Sequence, residues 1–375
     1  MADQKYMLLA IELAAHGRGW VNPNPQVGCV IVKDNRIIGQ GWHTKFGALH
    51  AEREALLSCK RAGEDTLGAT AYVTLEPCCH TGKQPPCCDA LIEAGISRVV
   101  VGSSDPNPLV AGRGIARLRS AGIKVDEGVL RSECDALNMP FFHFVTTGKP
   151  LVIAKFATTL DGKIATLTGE SKWITGVEAR ARVHTDRARY AAVMVGVNTV
   201  LADNPMLNAR GAGNNAHQPT RVVCDTRLRT PINSNIVSSA NSISTVIATC
   251  NEDALLHEQY KQFGCTILNV SQNREGHICL DDLLCKLGKM NLDSVIVEGG
   301  STLMGAMFDG GYVDRVQAYI APKIFGGSLA PSPVGGTGCI LPADATELKN
   351  ISVSSLGCDI LIEGDVVSNR HQTQN

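Results

Sequence analysis

A histidine, a glutamate and two cysteines in the first quarter of the chain have the types and the spacing of a catalytic zinc centre. His50 and Glu52 flank an alanine, and Cys78 and Cys87 follow further along. The imidazole and two thiolates would hold Zn²⁺ and leave a fourth position open for water. Glu52, which is no ligand in this pattern, would move a proton from that water to a departing amine. The four residues therefore predict one zinc ion per chain and hydrolytic deamination.

The loop between the two cysteines is longer than in the generic deaminase signature, where only two residues separate them. Here Cys87 is the ninth residue after Cys78. Gly82 and the adjacent Pro85 and Pro86 favour an ordered turn, and the apolar run that follows predicts a helix beginning close to Cys87. The longer loop therefore still delivers the second cysteine to the site.

A structural zinc site is an alternative interpretation of the same region. Cys78, Cys79, Cys87 and Cys88 could together supply four thiolates, or could be small buried residues. A four-thiolate site would leave the segment 50–52 without a role, and adjacent cysteines rarely both reach one metal ion. We therefore favour the catalytic set.

Strand and helix patterns alternate around these residues. Hydrophobic periodicity and turn residues predict strands at 27–32, 36–41, 71–75, 98–102 and 123–127, and helices at 50–61, 89–94 and 115–121. Side chains two positions apart point to nearly opposite faces of a helix. His50 and Glu52 can therefore share one site only if that site caps the first turn of the helix, and we predict that it does.

A short polar segment with a glycine and a proline, residues 146–150, divides the chain. An apolar strand at 151–157 follows it, and further strands are predicted at 192–197, 221–224, 245–248, 294–297 and 315–320. We expect two α/β domains, residues 1–147 and 148–367, followed by a flexible tail at 368–375.

Composition excludes several classes of function. A net charge of −1 over 375 residues provides no basic surface, which argues against a nucleic-acid partner. We find no targeting segment and no apolar run of about 18 residues, so we expect no membrane contact and a cytoplasmic location. The 14 cysteines, without a secretion signal, indicate reduced thiols rather than a disulfide framework.

Further motifs resemble those of the bifunctional deaminase-reductases of bacterial riboflavin biosynthesis, over nearly the whole chain. They lie at residues 22–30, 50–52, 77–92, 105–108, 111–114, 155–162, 171–175, 196–205 and 297–300. The resemblance implies a cytidine-deaminase-like zinc domain followed by a dihydrofolate-reductase-like α/β domain. It also implies two reactions. A phosphoribosylated diaminopyrimidinone is deaminated to the uracil, and NADPH then reduces its ribosyl group to ribityl.

The resemblance also implies three sets of site residues. The deaminase substrate would contact Asn24, His43, His80, Lys83, Asp105 and Asn107. NADPH would contact Ala157, Trp173, Thr199, Asp203, Thr226, Gly300, Ser301, Thr302, Leu303, Met304, Gly305 and Ala306. The reductase substrate would contact Ser171, Arg187, Leu207, Arg210 and Glu298.

Many of these residues also have an ordinary structural explanation. The segments 22–25 and 105–108 are good turn sequences, and Trp173 would commonly be a core residue. Arg187 and Arg210 are surface charges in one interpretation and phosphate clamps in the other. The pair Glu298 and Gly299 would end a strand in a glycine turn that opens a helix, where backbone N–H groups can face a phosphate.

The sequence departs from the family pattern at Leu49 and at Cys79. It also departs at Asn208 and Ala209, the two residues before Arg210. The glycine motif at 211–216 is not a dinucleotide fingerprint, because no strand precedes it and no apolar helix follows.

Two other functions stay open beside the bifunctional enzyme: a monofunctional nucleotide deaminase with an inactive second domain, and a zinc-stabilised binding protein. NADPH binding would separate the first of these from the bifunctional enzyme, and metal content would identify the second. We expect a phosphorylated pyrimidine as the small-molecule partner and a homo-oligomer as the assembly.

Overall fold

The computed structural model describes residues 2–80, 84–107, 111–210 and 216–367. Contacts divide the chain into two units, Met1–Gly148 and Lys149–Asn375. The boundary between them falls inside the polar segment 146–150. Among the described residues, no helix combines the length and the apolar character needed to cross a membrane. The expected tail at 368–375 lies outside the described residues.

The first unit is a five-stranded sheet in the order β2-β1-β3-β4-β5. Its strands are β1 Gly28–Lys33, β2 Arg36–Trp42, β3 Thr70–Leu75, β4 Arg98–Ser103 and β5 Lys124–Glu127. Strand β1 is antiparallel to β2 and β3, whereas β3, β4 and β5 are parallel. Its helices are α1 Ala2–Ala15, α2 Ala51–Ala62, α3 Cys87–Glu93, α4 Arg113–Ser120, α5 Arg131–Leu137 and α6 Met139–Thr147.

Both faces of this sheet are buried, because alternate residues of each strand point to opposite sides. Ile31 and Val73 pack with the core of α2, α3 and α4, while Val30 and Tyr72 pack against α1. Helix α2 lies at backbone contact on β2: a Cβ at Gly41 would collide with the backbone N of Ala55. The start of α2 is therefore fixed directly by the sheet.

The second unit is a nine-stranded sheet in the order β10-β9-β8-β7-β11-β6-β12-β14-β13. Its strands are β6 Leu151–Thr159, β7 Ala192–Gly196, β8 Thr220–Cys224, β9 Thr245–Thr249, β10 Thr266–Asn269, β11 Ser294–Val297, β12 Arg315–Ala321, β13 Leu348–Leu356 and β14 Asp359–Val366. The strands from β10 to β12 in this order are parallel, and β14 and β13 continue the sheet antiparallel.

Six α-helices are found in the described part of this unit: α7 Val177–Arg189, α8 Val197–Asp203, α9 Asn235–Ser238, α10 Ala254–Gln262, α11 Leu280–Lys289 and α12 Ser301–Asp309. Pro342–Asp344 form a 3₁₀ turn. Because β6, β7 and β11 are parallel neighbours, their carboxyl ends meet at one edge of the sheet, where ligands bind in open α/β sheets. Both units confirm the predicted α/β class.

Candidate zinc centre and cofactor cavity

His50 is the residue immediately before α2, with an extended backbone at φ −74° and ψ 161°. Glu52 lies in the first turn of the helix, and only 3% of it is exposed. The position of His50 at the helix start frees its imidazole from the helical side-chain pattern. His50 and Glu52 therefore both lie at the start of this helix, as the sequence predicts.

The side chains of His50, Cys78 and Cys87 converge on one point. Nδ1 of His50 lies 3.6 Å from Sγ of Cys78 and 3.4 Å from Sγ of Cys87, and all three atoms lie within 4.8 Å of one another. Tetrahedral zinc, with Zn–N of about 2.1 Å and Zn–S of about 2.3 Å, places its N and S ligands roughly 3.6 Å apart. The donor set therefore fits zinc in both chemistry and spacing.

The two cysteines reach this point from different elements. Cys78 follows β3, while Cys87 is the first residue of α3 and donates its backbone N–H to Sγ of Cys78 at 3.4 Å. Hydrogen bonds from Cys87 and His50 lower the pKa of Cys78 to about 4, although burial opposes this shift. Burial and the neighbouring Cys78 raise the pKa of Glu52 to about 7.

The other two cysteines do not complete a four-thiolate site. The thiol of Cys88 donates to the carbonyl of Pro77 at 3.3 Å and contacts the carbonyl of Gly114 at 3.5 Å. Burial raises the pKa of Cys88 well above its usual range, and it also raises that of Cys79. Among the described residues, the metal-ligand cluster found here contains neither.

Asn24 and His43 adjoin the zinc ligands. Nδ2 of Asn24 lies 3.1 Å from Nε2 of His43, and the rings of His43 and His50 meet edge to face at 5.4 Å. Nδ1 of His43 lies 2.9 Å from the carbonyl oxygen of Leu49. Burial lowers the pKa of His43. Since Leu49 acts through its backbone here, its departure from the family residue leaves this contact possible.

Asp105 and Asn107 occupy the turn after β4. Oδ1 of Asp105 accepts the backbone N–H of Asn107 at 2.8 Å, and burial raises the pKa of Asp105 to about 6. The exposed His80 is close enough for its charge to oppose that shift. Lys83, the remaining expected substrate contact, lies outside the described residues.

Two residues support this site without having been predicted to do so. Arg53 donates to the carbonyls of Pro85 and Pro86 at 3.2 Å and 3.0 Å, which braces the loop before Cys87. Glu76 accepts backbone N–H groups from the segment after β4 and from α4. Glu76 stands beside Pro77 in the cysteine motif, but its position along the chain does not reveal these partners.

The second unit contains a cavity of about 1110 Å³ at the carboxyl ends of β6, β7 and β11. Twelve of the residues expected in this half of the site line the cavity, namely Ala157, Ser171, Trp173, Arg187, Thr199, Asp203, Leu207, Arg210, Glu298, Gly300, Ser301 and Met304. This volume exceeds the roughly 300–1,000 Å³ of small-ligand pockets, as a site for cofactor and substrate together requires.

The remaining expected cofactor contacts stand apart from the cavity wall. Thr302, Leu303, Gly305 and Ala306 belong to α12. Thr226 follows β8, and its carbonyl accepts from Oγ1 of Thr249 and from the backbone N–H of Cys250, both at 3.2 Å.

A two-glycine turn connects β11 to α12 at the cavity wall. Gly299 and Gly300 have φ of 144° and 80°, which side chains rarely adopt. A Cβ on them would lie 3.4 Å and 3.3 Å from Oγ1 of Thr199. The turn therefore keeps backbone and a hydroxyl close together, in a cradle that fits a polar cofactor.

A buried charge cluster lies at the floor of this cavity. Arg187 donates from Nε and Nη2 to the two carboxylate oxygens of Glu298 at 2.6 Å and 2.7 Å, and Nζ of Lys155 lies 3.6 Å from Oε2 of Glu298. Burial would raise the pKa of Glu298, but the charges of Arg187 and Lys155 lower it to about 2. Burial lowers the pKa of Lys155. Lys155 was not among the expected contacts.

The rim of the cavity is more open. Trp173 is 63% exposed, with the guanidinium of Arg180 4.5 Å from its ring centre. Oγ of Ser171 donates to Oδ1 of Asp203 at 3.4 Å. Nη1 of Arg187 donates to the carbonyl of Asn208 at 3.1 Å, so this departure from the family sequence still contributes a backbone acceptor.

Comparison with protein families gives one match for each unit. Residues 1–103 match the cytidine and deoxycytidylate deaminase zinc-binding region, and residues 150–362 match the RibD C-terminal domain. Riboflavin biosynthesis protein RibD of Actinobacillus pleuropneumoniae is 55% identical over 98% of this chain and 96% of its own length. The Escherichia coli protein of that name is 42% identical over 96% and 99%.

Solved structures of related proteins resemble nearly the whole chain. The diaminohydroxyphosphoribosylaminopyrimidine deaminase/5-amino-6-(5-phosphoribosylamino)uracil reductase of Thermotoga maritima aligns with a TM-score of 0.87 at 39% identity. Acinetobacter baumannii RibD aligns with a TM-score of 0.87 at 38% identity. Each comparison covers 97% of this chain and 99% of the other.

Proposed function

The chain belongs to the RibD family of bifunctional deaminase-reductases of riboflavin biosynthesis, and from this premise we propose which of its residues perform each reaction. The first reaction converts 2,5-diamino-6-(5-phosphoribosylamino)pyrimidin-4(3H)-one to the corresponding uracil by hydrolytic deamination. The second reduces the ribosyl group to ribityl with NADPH. The observation that carries the deaminase assignment is the convergence of His50, Cys78 and Cys87 beside the buried Glu52.

In the deamination, His50, Cys78 and Cys87 hold the metal. Zinc supplies Lewis acidity that activates water. Glu52 takes the proton released by that water and delivers it to the departing amine, so one carboxylate is the base for the attacking water and the acid for the leaving group. Asn24 and His43, which adjoin His50, contact the pyrimidine.

Asp105 and Asn107, in the turn after β4, are further contacts of the pyrimidine. Their amide and carboxylate groups supply the donors and acceptors that read ring edges. His80 adds a contact at the mouth of the site, and Lys83 pairs with the phosphate.

In the reduction, NADPH supplies the hydride and the protein supplies orientation. The turn at Gly299 and Gly300, together with Thr199, holds the cofactor's polar groups. Glu298 faces the ribosyl group and is kept ionised by Arg187 and Lys155. Arg210, which is exposed at the cavity wall, pairs with the substrate phosphate.

We also propose Ala157, Trp173, Asp203, Thr226 and the first turns of α12 as further NADPH contacts, and Ser171 and Leu207 as further substrate contacts. Residues 1–147 and 148–367 then act as separate catalytic domains in a cytoplasmic homo-oligomer that binds no nucleic acid. The two separate sets of site residues support this division, since each set lies within one unit.

NADPH absorbance tests both activities in one experiment. With the diaminopyrimidinone phosphate as substrate, we expect NADPH to be consumed only after a lag, which disappears when deaminated intermediate is supplied. The Asp203→Ala variant should deaminate normally and show at least about a tenfold higher KM for NADPH, because a hydrogen bond to a charged group contributes about 1.5 kcal/mol or more. If Asp203→Ala abolished deamination in folded protein, the two-site assignment would have to be abandoned.

A further inference from the structure

Glu76 is a buried carboxylate for which the reactions above have no role. Only 4% of it is exposed, and it lies directly after β3. Its Oε2 accepts the backbone N–H of Asp105 at 3.4 Å and of Gly112 at 3.0 Å. Its Oε1 accepts those of Gly114 at 2.9 Å and Ile115 at 3.3 Å. One side chain therefore satisfies four backbone donors.

These donors come from two separate segments. Asp105 follows β4, whereas Gly112, Gly114 and Ile115 form the start of α4. The first N–H groups of a helix have no partner inside the helix, and a negative charge is favourable there. Charge-assisted hydrogen bonds are about twice as strong as neutral ones. Glu76 thus ties the end of β3 to the end of β4 and to the first turn of α4.

The same stretch carries a zinc ligand. Cys78 is two residues beyond Glu76, and the intervening carbonyl of Pro77 accepts the Cys88 thiol at 3.3 Å. A Cβ at Gly114 would collide with that carbonyl oxygen, so α4 packs against the segment at backbone contact. The distance between the zinc ligands and the turn after β4 is therefore set by contacts around Glu76.

We propose that Glu76 is a positioning residue for deamination, which holds the turn that carries Asp105 and Asn107 in the place where these two residues reach the pyrimidine. This inference rests on the proposed substrate contacts of Asp105 and Asn107. Glu76 itself touches neither substrate nor metal. Its two carboxylate oxygens are both required, because Oε2 accepts from Asp105 and Gly112 whereas Oε1 accepts from Gly114 and Ile115.

The test is Glu76→Gln in the full chain. Glutamine has nearly the same shape, but one of its oxygens is replaced by an amide NH₂, which cannot accept. We expect full zinc content and unchanged reduction of supplied intermediate. The KM for deamination should rise about 10- to 100-fold with a smaller change in kcat, since a misplacement of about 1 Å can cost about 100-fold. Hydrogen exchange should become faster at residues 112–115.

Glu64→Gln is the matched control. Glu64 lies in the same unit and pairs with Arg36 at 2.7 Å on the surface, so its substitution should change neither KM nor exchange at α4. Loss of zinc in both Glu76→Gln and Glu76→Asp would overturn the inference, because Glu76 would then support the metal site as a whole. An unchanged KM in a zinc-loaded Glu76→Gln variant would overturn it too.

Asn107→Ala separates this inference from the proposed function. If the Asn107→Ala single variant leaves the deamination KM unchanged, the proposed contact between Asn107 and the substrate is wrong, whatever the result for Glu76→Gln. If Asn107→Ala raises the KM and Glu76→Gln does not, only the positioning role fails. When both single variants raise the KM, the double variant should be no worse than the poorer single one. Fully additive effects would show that the two residues act independently and would overturn the inference.

Discussion

In the first unit, three ligand atoms lie within 4.8 Å of one another with the Glu52 carboxylate beside Cys87, whereas in the second unit the expected contacts are spread around a cavity of about 1110 Å³. Water must be activated by a compact set of side chains, and each of those side chains has a fixed chemical identity. A cofactor brings its own reactive atom, so the surrounding protein mainly provides shape and backbone donors. A catalytic site made of a few fixed side chains is encoded by a short sequence motif. A cofactor site made of many contacts is encoded by residues scattered along the chain.

The largest expected effect is the loss of deamination at the zinc centre, while the cavity of the second unit stays unchanged. Glu52→Ala should lower the deamination rate by about 10²–10⁴-fold, because it removes proton shuttling. Zinc should stay bound at one ion per chain, since Glu52 is not a ligand. Metal analysis and separate assays of the two half-reactions measure this. Loss of zinc, or loss of reduction of supplied intermediate, would contradict the assignment.

The adjacent residues Cys87 and Cys88 test which of the two thiols is a zinc ligand. Cys87→Ser should weaken zinc binding by more than the about 10- to 100-fold that loss of an outer partner costs, because a ligand itself is removed. Cys88→Ser is the control and should retain zinc, since the Cys88 thiol faces the carbonyl of Pro77. Competition with a chromophoric chelator measures both affinities. Equal losses in the two variants would mean that the ligand set is wrong.

Glu298→Gln tests whether the cavity also depends on particular charges. The substitution leaves Arg187 and Lys155 buried without a carboxylate partner, and removal of one partner from a buried ion pair costs about 3–5 kcal/mol. We expect the second unit to unfold at lower denaturant concentration and reduction to be lost, while deamination and zinc content are unchanged. Unfolding followed with a probe in each unit measures this, and an equal shift in both units would contradict it.

The smallest expected effect is the pH dependence of that charge cluster. The pKa of Glu298 is lowered from its usual 4.5 to about 2, so its ionised form stabilises the folded unit. This contribution is fully present above about pH 5 and is lost as the pH falls towards 2. The difference in unfolding free energy between the natural chain and Glu298→Gln should therefore shrink over this range. A constant difference would show that Glu298 is not held ionised by its neighbours.

The contrast between the two sites also explains what the sequence could predict. Strands β1 and β2 followed from their periodicity and from the turn residues between them, where Asp34 and Asn35 adopt left-handed backbone. The zinc set followed from residue types and spacing. Lys155 was missed because its partner, Glu298, is brought beside it by the register of β6 and β11, in which Ala154 pairs with Val297. No local pattern contains that register.

The elements missed by the sequence have physical reasons of the same kind. Strand β13 is exposed along almost its whole length, so it lacks the alternation of buried and exposed residues that marks a strand. The strand predicted at 192–197 ends at Gly196, because Val197 already begins α8. The backbone partners of Glu76 and Arg53 depend on tertiary contacts between loops, which sequence spacing does not specify.

The backbone contact between Gly41 and Ala55 has a consequence for how this chain can vary through evolution. A packed side chain between two elements can change size while its neighbours adjust, but two backbones in contact leave nothing to adjust. A substitution at either of these small residues would therefore shift the start of α2, where His50 and Glu52 lie. Loop length between Cys78 and Cys87 can change without moving that start. Gly41 of β2 and Ala55 of α2 should thus tolerate fewer substitutions than the loop that precedes Cys87.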